Sequence, residues 1–299
     1  MSLFALLLAL ILERGLTHLF HLREPRWLDS YFDRVARLLG GSSGEARIAA
    51  AVLVLVLPVV PVALVDGMLG GHLLGLPQLA FAAFVLLLSF GPRDLHEEVD
   101  DYVAALDRGD RDEAARRAKE LLEADAAGRG AGLRDAVEEA IFVQANNRIF
   151  GVIFWFMVLG PAGAWLFRVS DLLRRRAAFE AARSGAEVQS FGGALTILHG
   201  LLAWIPARLA AGTYALAGSF EDAVGNWRVV VDQAAGNVLD RNDDLLARVG
   251  RASLQPGLAG MPVERLDAAT ALGAWRIVSR STWIWLAVIA LLVLAGSAA

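Results

Sequence analysis

Residues Phe154–Leu173 read FWFMVLGPAGAWLFRVSDLL. The stretch begins as a membrane span and then places Gly160-Pro161-Ala162-Gly163 where a span is expected to be most regular. Proline removes a helix donor, and its ring clashes with the preceding turn. In hydrocarbon the carbonyl freed in this way has no water to meet it, so protein or a wet cavity must do so. Arg168 and Asp171 follow within one helical turn of each other. The stretch therefore predicts a broken helix inside a bundle, not a plain anchor.

The rest of the chain agrees with a membrane setting. Of its 299 residues, 56% are hydrophobic and only 20% charged, against about a quarter charged in ordinary soluble domains. The mean hydropathy is +0.50. Long apolar runs cover Met1–Leu12, Ile48–Val65, Leu73–Phe90, Ile149–Phe167, Phe191–Gly218 and Trp283–Ala295. Roughly 20 residues cross about 30 Å of hydrocarbon. The second, third and fourth runs reach that length with their flanks. Met1–Leu12 has no basic residue before it, and Glu13-Arg14 follows it where a signal peptide has small residues, so a retained helix is expected.

Strand patterns are missing, and the expectation is an all-α polytopic membrane protein with helical cytoplasmic regions and two broken central helices. Five parts follow: N-terminal membrane helices over 1–91, a helical cytoplasmic region over 92–147, and a membrane core over 148–218. A second, mostly helical cytoplasmic region over 219–280 and a C-terminal membrane helix over 281–299 complete the chain. Arginines at span ends orient such proteins. Glu13–Arg47 is rich in arginine whereas Asp66–His72 has no Arg or Lys, which puts the former in the cytoplasm and the latter outside. Arg168–Ser190 conflicts with that rule if the fourth run crosses simply, since it carries Arg168, Arg174, Arg175, Arg176 and Arg183.

Several chemistries are excluded. With no cysteine, disulfides, thiolate metal sites and covalent haem attachment are out. Lys119 is the only lysine among 28 basic residues, and it lies in ARRAKELL, not in the glycine-rich loop of a Walker phosphate site. The 92–147 region carries more acid than base, which argues against nucleic acid, a ligand held by clustered positive charge. His18, His21 and Glu24 share one helical face. An interfacial polar face accounts for them better than a metal site, which needs further ligands and a supporting shell. His72, His96 and His199 stand alone in sequence. No metal and no cofactor are expected.

Within 92–147, Leu95, Val99, Tyr102, Val103 and Leu106 recur at helical spacing. Asp110 with Glu113 forms a capping-box pattern after Asp107-Arg108-Gly109. From Leu133 the helical pattern runs on into the span at Ile149.

The second interrupted run carries Trp204-Ile205-Pro206-Ala207-Arg208. An arginine within an apolar run is expensive, and is functional, paired, or snorkelling to headgroups. Asp171 and Asp66 are its candidate partners. Paired broken helices can present backbone and charge to a ligand. The glycines can equally admit a transmembrane helix of another membrane protein, because small residues permit close approach. The candidate ligand- or partner-binding residues are thus Gly160, Pro161, Gly163, Arg168, Asp171, Pro206 and Arg208. Their partners would be the bilayer, another protein's helix, or an unidentified small ligand.

These residues resemble those of the AmpE family of inner-membrane proteins and, more distantly, the CobD/CbiB enzymes of cobalamin assembly. Phe191-Gly192 and Ile205-Pro206-Ala207-Arg208-Leu209 look like the enzymes' FG…IPARL pattern. Phe154, Gly160-Pro161-Ala162-Gly163 and Arg168 look like their F…GxPG…YR pattern. The acidic positions depart from it. Val143, Gln144, Asn147 and Arg148 stand in place of an E-N-x-x-D-G run. Asp171-Leu172-Leu173-Arg174 stands in place of N-T-L-D, and His199-Gly200 in place of two aspartates. The amino-terminal G-D-P…P-H-P-V pattern has no counterpart. The resemblance implies the enzymes' scaffold without their chemistry, in a bacterial inner-membrane protein linked to β-lactamase induction and cell-wall recycling. An amide-forming cobalamin-type enzyme is the alternative it leaves open.

Overall fold

The computed structural model of the chain describes residues 26–39, 45–69, 75–90, 94–122, 132–184, 186–232, 236–254 and 263–298. The expected first helix over Met1–Leu12 and the His18–His21–Glu24 face lie outside them. Every element among the described residues is helical, without a strand. The helices are α1 (Arg26–Leu39), α2 (Glu45–Val56), α3 (Val60–Leu69), α4 (Leu76–Phe90), α5 (Leu95–Asp107), α6 (Arg111–Leu122) and α7 (Leu133–Ala145). A π turn (Asn146–Phe150) leads to α8 (Gly151–Ser184), followed by α9 (Ala186–Ala217), α10 (Phe220–Asp232), α11 (Val238–Ser253) and α12 (Val263–Ala298).

Four helical stretches among the described residues are long and apolar enough to cross a membrane: Leu76–Asp107, Leu133–Ala181, Phe191–Ala217 and Leu266–Ala295. The pair α2–α3, bent by 41° at its break, makes a fifth if it counts as one span. Pro58 and Pro61 lie in and just after that bend, where missing donors prevent a straight continuation. The chain is a multi-pass all-α membrane protein.

The chain forms two compact units, and neither is contiguous. The first gathers Met1–Pro92, Asn147–Trp204 and Asn237–Leu239. Its apolar core joins Leu28 and Phe32 of α1, Ala51 and Val54 of α2, Val85 of α4, Trp165, Val169 and Leu173 of α8, and Phe191 and Leu195 of α9. The α8 residues recur every four positions, so one stripe of that helix faces the core. The Trp165 indole donates to Pro58 O at 3.2 Å, giving the bend after α2 a partner. The Tyr31 hydroxyl donates to Val54 O.

The second unit gathers Arg93–Asn146, Ile205–Gly236 and Asp240–Ala299. Here α5 and α6 pack as a helical hairpin about the turn at Asp107–Asp110. Gly109 makes the turn at φ 71°, and the Glu113 amide donates to Asp110 Oδ1 at 3.0 Å, the first half of a capping box. Val99, Tyr102, Ala114, Ala118 and Leu121 are buried along the helices' apolar stripes. Tyr214 is fully buried against Phe142 and donates its hydroxyl to that residue's carbonyl at 2.9 Å. Gly250 lets α11 approach the Phe142 ring so closely that a Cβ would overlap it.

Candidate functional site

The site is built from the interruption of α8. Gly160 has φ 66° and ψ −155°, a region in which essentially only glycine sits without strain. The next residue, Pro161, has the fixed φ suited to a first helical turn. One long apolar segment thus becomes two arms. Gly163 is buried at the start of the second arm. A Cβ there would run into the Trp155 carbonyl and come within 2.7 Å of the Leu159 side chain. The close approach that this small residue permits is made by α8 on itself. The open side of Gly160 faces Asp66, whose Oδ2 would stand 3.8 Å from a Cβ, while its Oδ1 accepts from Gln78 Nε2.

Pro206 acts by a different route. α9 carries helix through it, and the lesion is a missing N–H that leaves the carbonyl of Leu202, four residues back, without its helical donor. The Trp155 indole supplies one, donating to Leu202 O at 3.0 Å. Trp155→Phe is accordingly expected to lower stability by about 1–3 kcal/mol, the usual penalty for an unmet buried carbonyl. In a Pro206→Ala background, where the helix donor returns, the same change should lose clearly less. A four-variant thermal-unfolding cycle in detergent checks this; purely additive losses would dissociate the indole from the proline.

On the second arm Arg168 and Asp171 come together, 3.4 Å apart and both buried, so Asp171 serves Arg168 and not Arg208, for which the sequence offered it. The pair is part of a larger cluster. Asp171 is wholly enclosed, and its carboxylate also meets Arg174 at 2.6 Å and Arg175 at 2.5 Å. Three guanidiniums from one face of α8 therefore share a single carboxylate. His199 of α9 stands 3.8 Å from Asp171 through Nε2 and is itself fully buried. Its Nδ1 lies 2.8 Å from the Ser170 hydroxyl, and its Nε2 lies 3.5 Å from Asn147 Oδ1. Arg148, also buried, is close enough to Arg168 to repel it. The π turn supplies Asn147 and Arg148. Such single-turn insertions shift the rotation of a helix's side chains and recur at functional sites.

The expectation that His199 stands alone is corrected: it is the bridge between α9 and the Asp171 cluster. Asn147, Ser170, Arg174 and Arg175 were also missed as site residues. Asn147, Arg174 and His199 stand where the enzymes' motifs have acids, and the fold brings these three together around Asp171. Of the residues expected to bind, the first unit holds Gly160, Pro161 and Gly163 at the kink and Arg168 and Asp171 in the cluster. The second unit holds Pro206 and Arg208. Arg208 donates to the fully buried Asn242 at 3.1 Å, an amide partner where a carboxylate was expected. Among the described residues no group of three or more His, Cys, Asp or Glu is arranged to hold a metal.

Comparisons with known proteins agree with the sequence reading. The family model described as "Regulatory signalling modulator protein AmpE" matches residues 1–298. The chain is 27% identical to Protein AmpE of Shigella flexneri over 301 residues, covering 99% of both chains. It is 31% identical to the Cobalamin biosynthesis protein CobD of Stutzerimonas stutzeri over 199 residues, which are 66% of this chain and 63% of that one. The CobD of Chromobacterium violaceum is 30% identical over 220 residues, 68% of this chain and 67% of that one. No solved structure matches the chain significantly.

Proposed function

The chain belongs to the AmpE family, and we propose from that premise that it is a non-enzymatic sensor or modulator in the bacterial inner membrane, acting in β-lactamase induction. The observation that carries the reading is the composition of the buried cluster. A site that activates an amine or holds a metal–nucleotide calls for several carboxylates with open oxygens. Here one carboxylate is divided among three guanidiniums, and a buried histidine and asparagine fill the neighbouring places. Such a cluster can bind and can change partners, and its single carboxylate is already engaged.

The test uses a strain with an inducible β-lactamase, its own AmpE relative deleted and this chain supplied on a plasmid. Supplying the chain should shift the β-lactam concentration at half-maximal induction several-fold; an unchanged induction curve would sink the regulatory reading. In parallel, purified protein is incubated with a corrinoid acid and an amino alcohol. No amide product is expected, and turnover would establish the cobalamin-type alternative instead.

A further inference from the structure

We infer that the cluster around Asp171 is a binding site for an oxyanion of the phosphate class. The inference rests on the reading above for the ligand's role as a signal, although binding itself is a separate property.

The cluster is short of hydrogen-bond acceptors. Buried polar groups in folded proteins find partners, and each exception calls for an explanation. Among the described residues, the enclosed side-chain atoms without a hydrogen-bond partner that lie within one contact of Asp171 or His199 include Arg168 Nε, Arg174 Nε and Asn147 Nδ2. All three are donors. Asp171 Oδ1 also lacks a well-aligned hydrogen bond, but it lies 2.6 Å from Arg174 and is met electrostatically. The cluster therefore lacks acceptors, not donors. Another carbonyl could answer one such group. A group with several acceptor oxygens and negative charge can answer more than one of them, and guanidinium forks fit such a group best.

Charge points the same way. Arg168 and Arg174 lean on a carboxylate that they also share with Arg175, and Arg148 adds repulsion from the π turn. An incoming anion would relieve that crowding. Access is available, because Arg174 and Arg175 keep 17% and 22% of their side-chain surface exposed whereas Arg168 keeps 5%. The cluster begins where the apolar run Ile149–Phe167 ends, so a lipid phosphate is one source of such an anion. A free phosphorylated solute and an anionic lipid headgroup therefore present the same chemistry to it.

The experiment uses the full chain in an uncharged maltoside detergent, with the unfolding midpoint read against added ligand. Inorganic phosphate is titrated against sodium chloride of equal ionic strength, and short-chain phosphatidylglycerol against the corresponding phosphatidylcholine. A saturable rise with phosphate in lipid-free detergent identifies a soluble phosphorylated ligand. A rise with phosphatidylglycerol alone identifies a headgroup. In either case Arg174→Gln should raise the half-saturating concentration at least tenfold, and Arg116→Gln, which removes an exposed arginine elsewhere, should leave it unchanged. Arg174→Lys keeps the charge without the fork and serves if Arg174→Gln does not fold; it too should bind at least tenfold more weakly. No saturable response to either probe, an equal response to chloride, or unchanged binding in both Arg174 variants would overturn the inference. None of these outcomes depends on β-lactamase induction, so failure here leaves the regulatory reading to its own test.

Discussion

Asp171→Asn is expected to lower the stability of the purified protein by about 3–5 kcal/mol, the range found when one partner of a buried ion pair is removed. The reason is the inequality of the cluster. Asp171 is wholly buried and meets Arg168, Arg174 and Arg175 at once. Removing its charge leaves guanidiniums facing each other with no anion between them, and Arg168 is too enclosed to turn to water. The exposed pair Arg248–Asp244, each close to half exposed, supplies the contrast. Asp244→Asn should change stability by no more than about 0.5 kcal/mol, as surface pairs do. Combining Asp171→Asn with Arg168→Gln should lose less than the two single changes added together, because groups in one network do not act independently. Thermal unfolding of the four variants against the unsubstituted protein in detergent decides it. Similar losses for Asp171→Asn and Asp244→Asn would mean that the cluster is hydrated and that its burial carries no energetic weight.

The contrast also shows what the sequence could disclose. The helical class, the membrane setting, the hairpin turn at Asp107–Asp110 and the break at Gly160 were all legible, because each is dictated by residues close together in the chain. Glycine at φ 66° followed by proline is a local necessity, and so is the Asp110 cap. Arg168 and Asp171 were legible as neighbours because three positions apart is one helical face. The remainder of the cluster was not. Periodicity says which face of a helix is apolar, but not which residue of another helix meets it. His199 looked solitary because its partners Ser170 and Asn147 are 29 and 52 positions away. The π turn that brings in Asn147 and Arg148 has no strong residue signature, and the bend at Pro58 was hidden inside an otherwise uniform apolar run. One signal was present: Asn147, Arg174 and His199 each stood where the resembled motifs have an acid, which marks them as candidates for one site.

Glycine substitutions along α8 and α9 should divide by sign, and the division tests the broken core directly. Gly163→Ala is expected to destabilise by about 1–3 kcal/mol, the usual result of overfilling a packed interior. Its new methyl group would collide with the Trp155 carbonyl, and a backbone oxygen cannot swing aside as a side-chain end can. Gly160→Ala should lose a similar amount for a separate reason. Its surroundings have room, with Asp66 Oδ2 at 3.8 Å, but φ 66° and ψ −155° lie where an L-residue is strained by about 1–3 kcal/mol. Gly193 and Gly212 sit in regular parts of α9 with nothing within 4 Å of a Cβ. There alanine should be neutral or stabilising by about 0.5–1 kcal/mol, since glycine in a helix interior forfeits that much to chain entropy. The four variants share the same chemical change, so differences in detergent binding or expression cancel to a first approximation. If all four shift the unfolding midpoint in one direction, the two arms of α8 do not hold the geometry described. If Gly163→Ala alone proves neutral, the arm after Pro161 is able to move away from Trp155. The kink would then be a hinge and not a fixed element of the core.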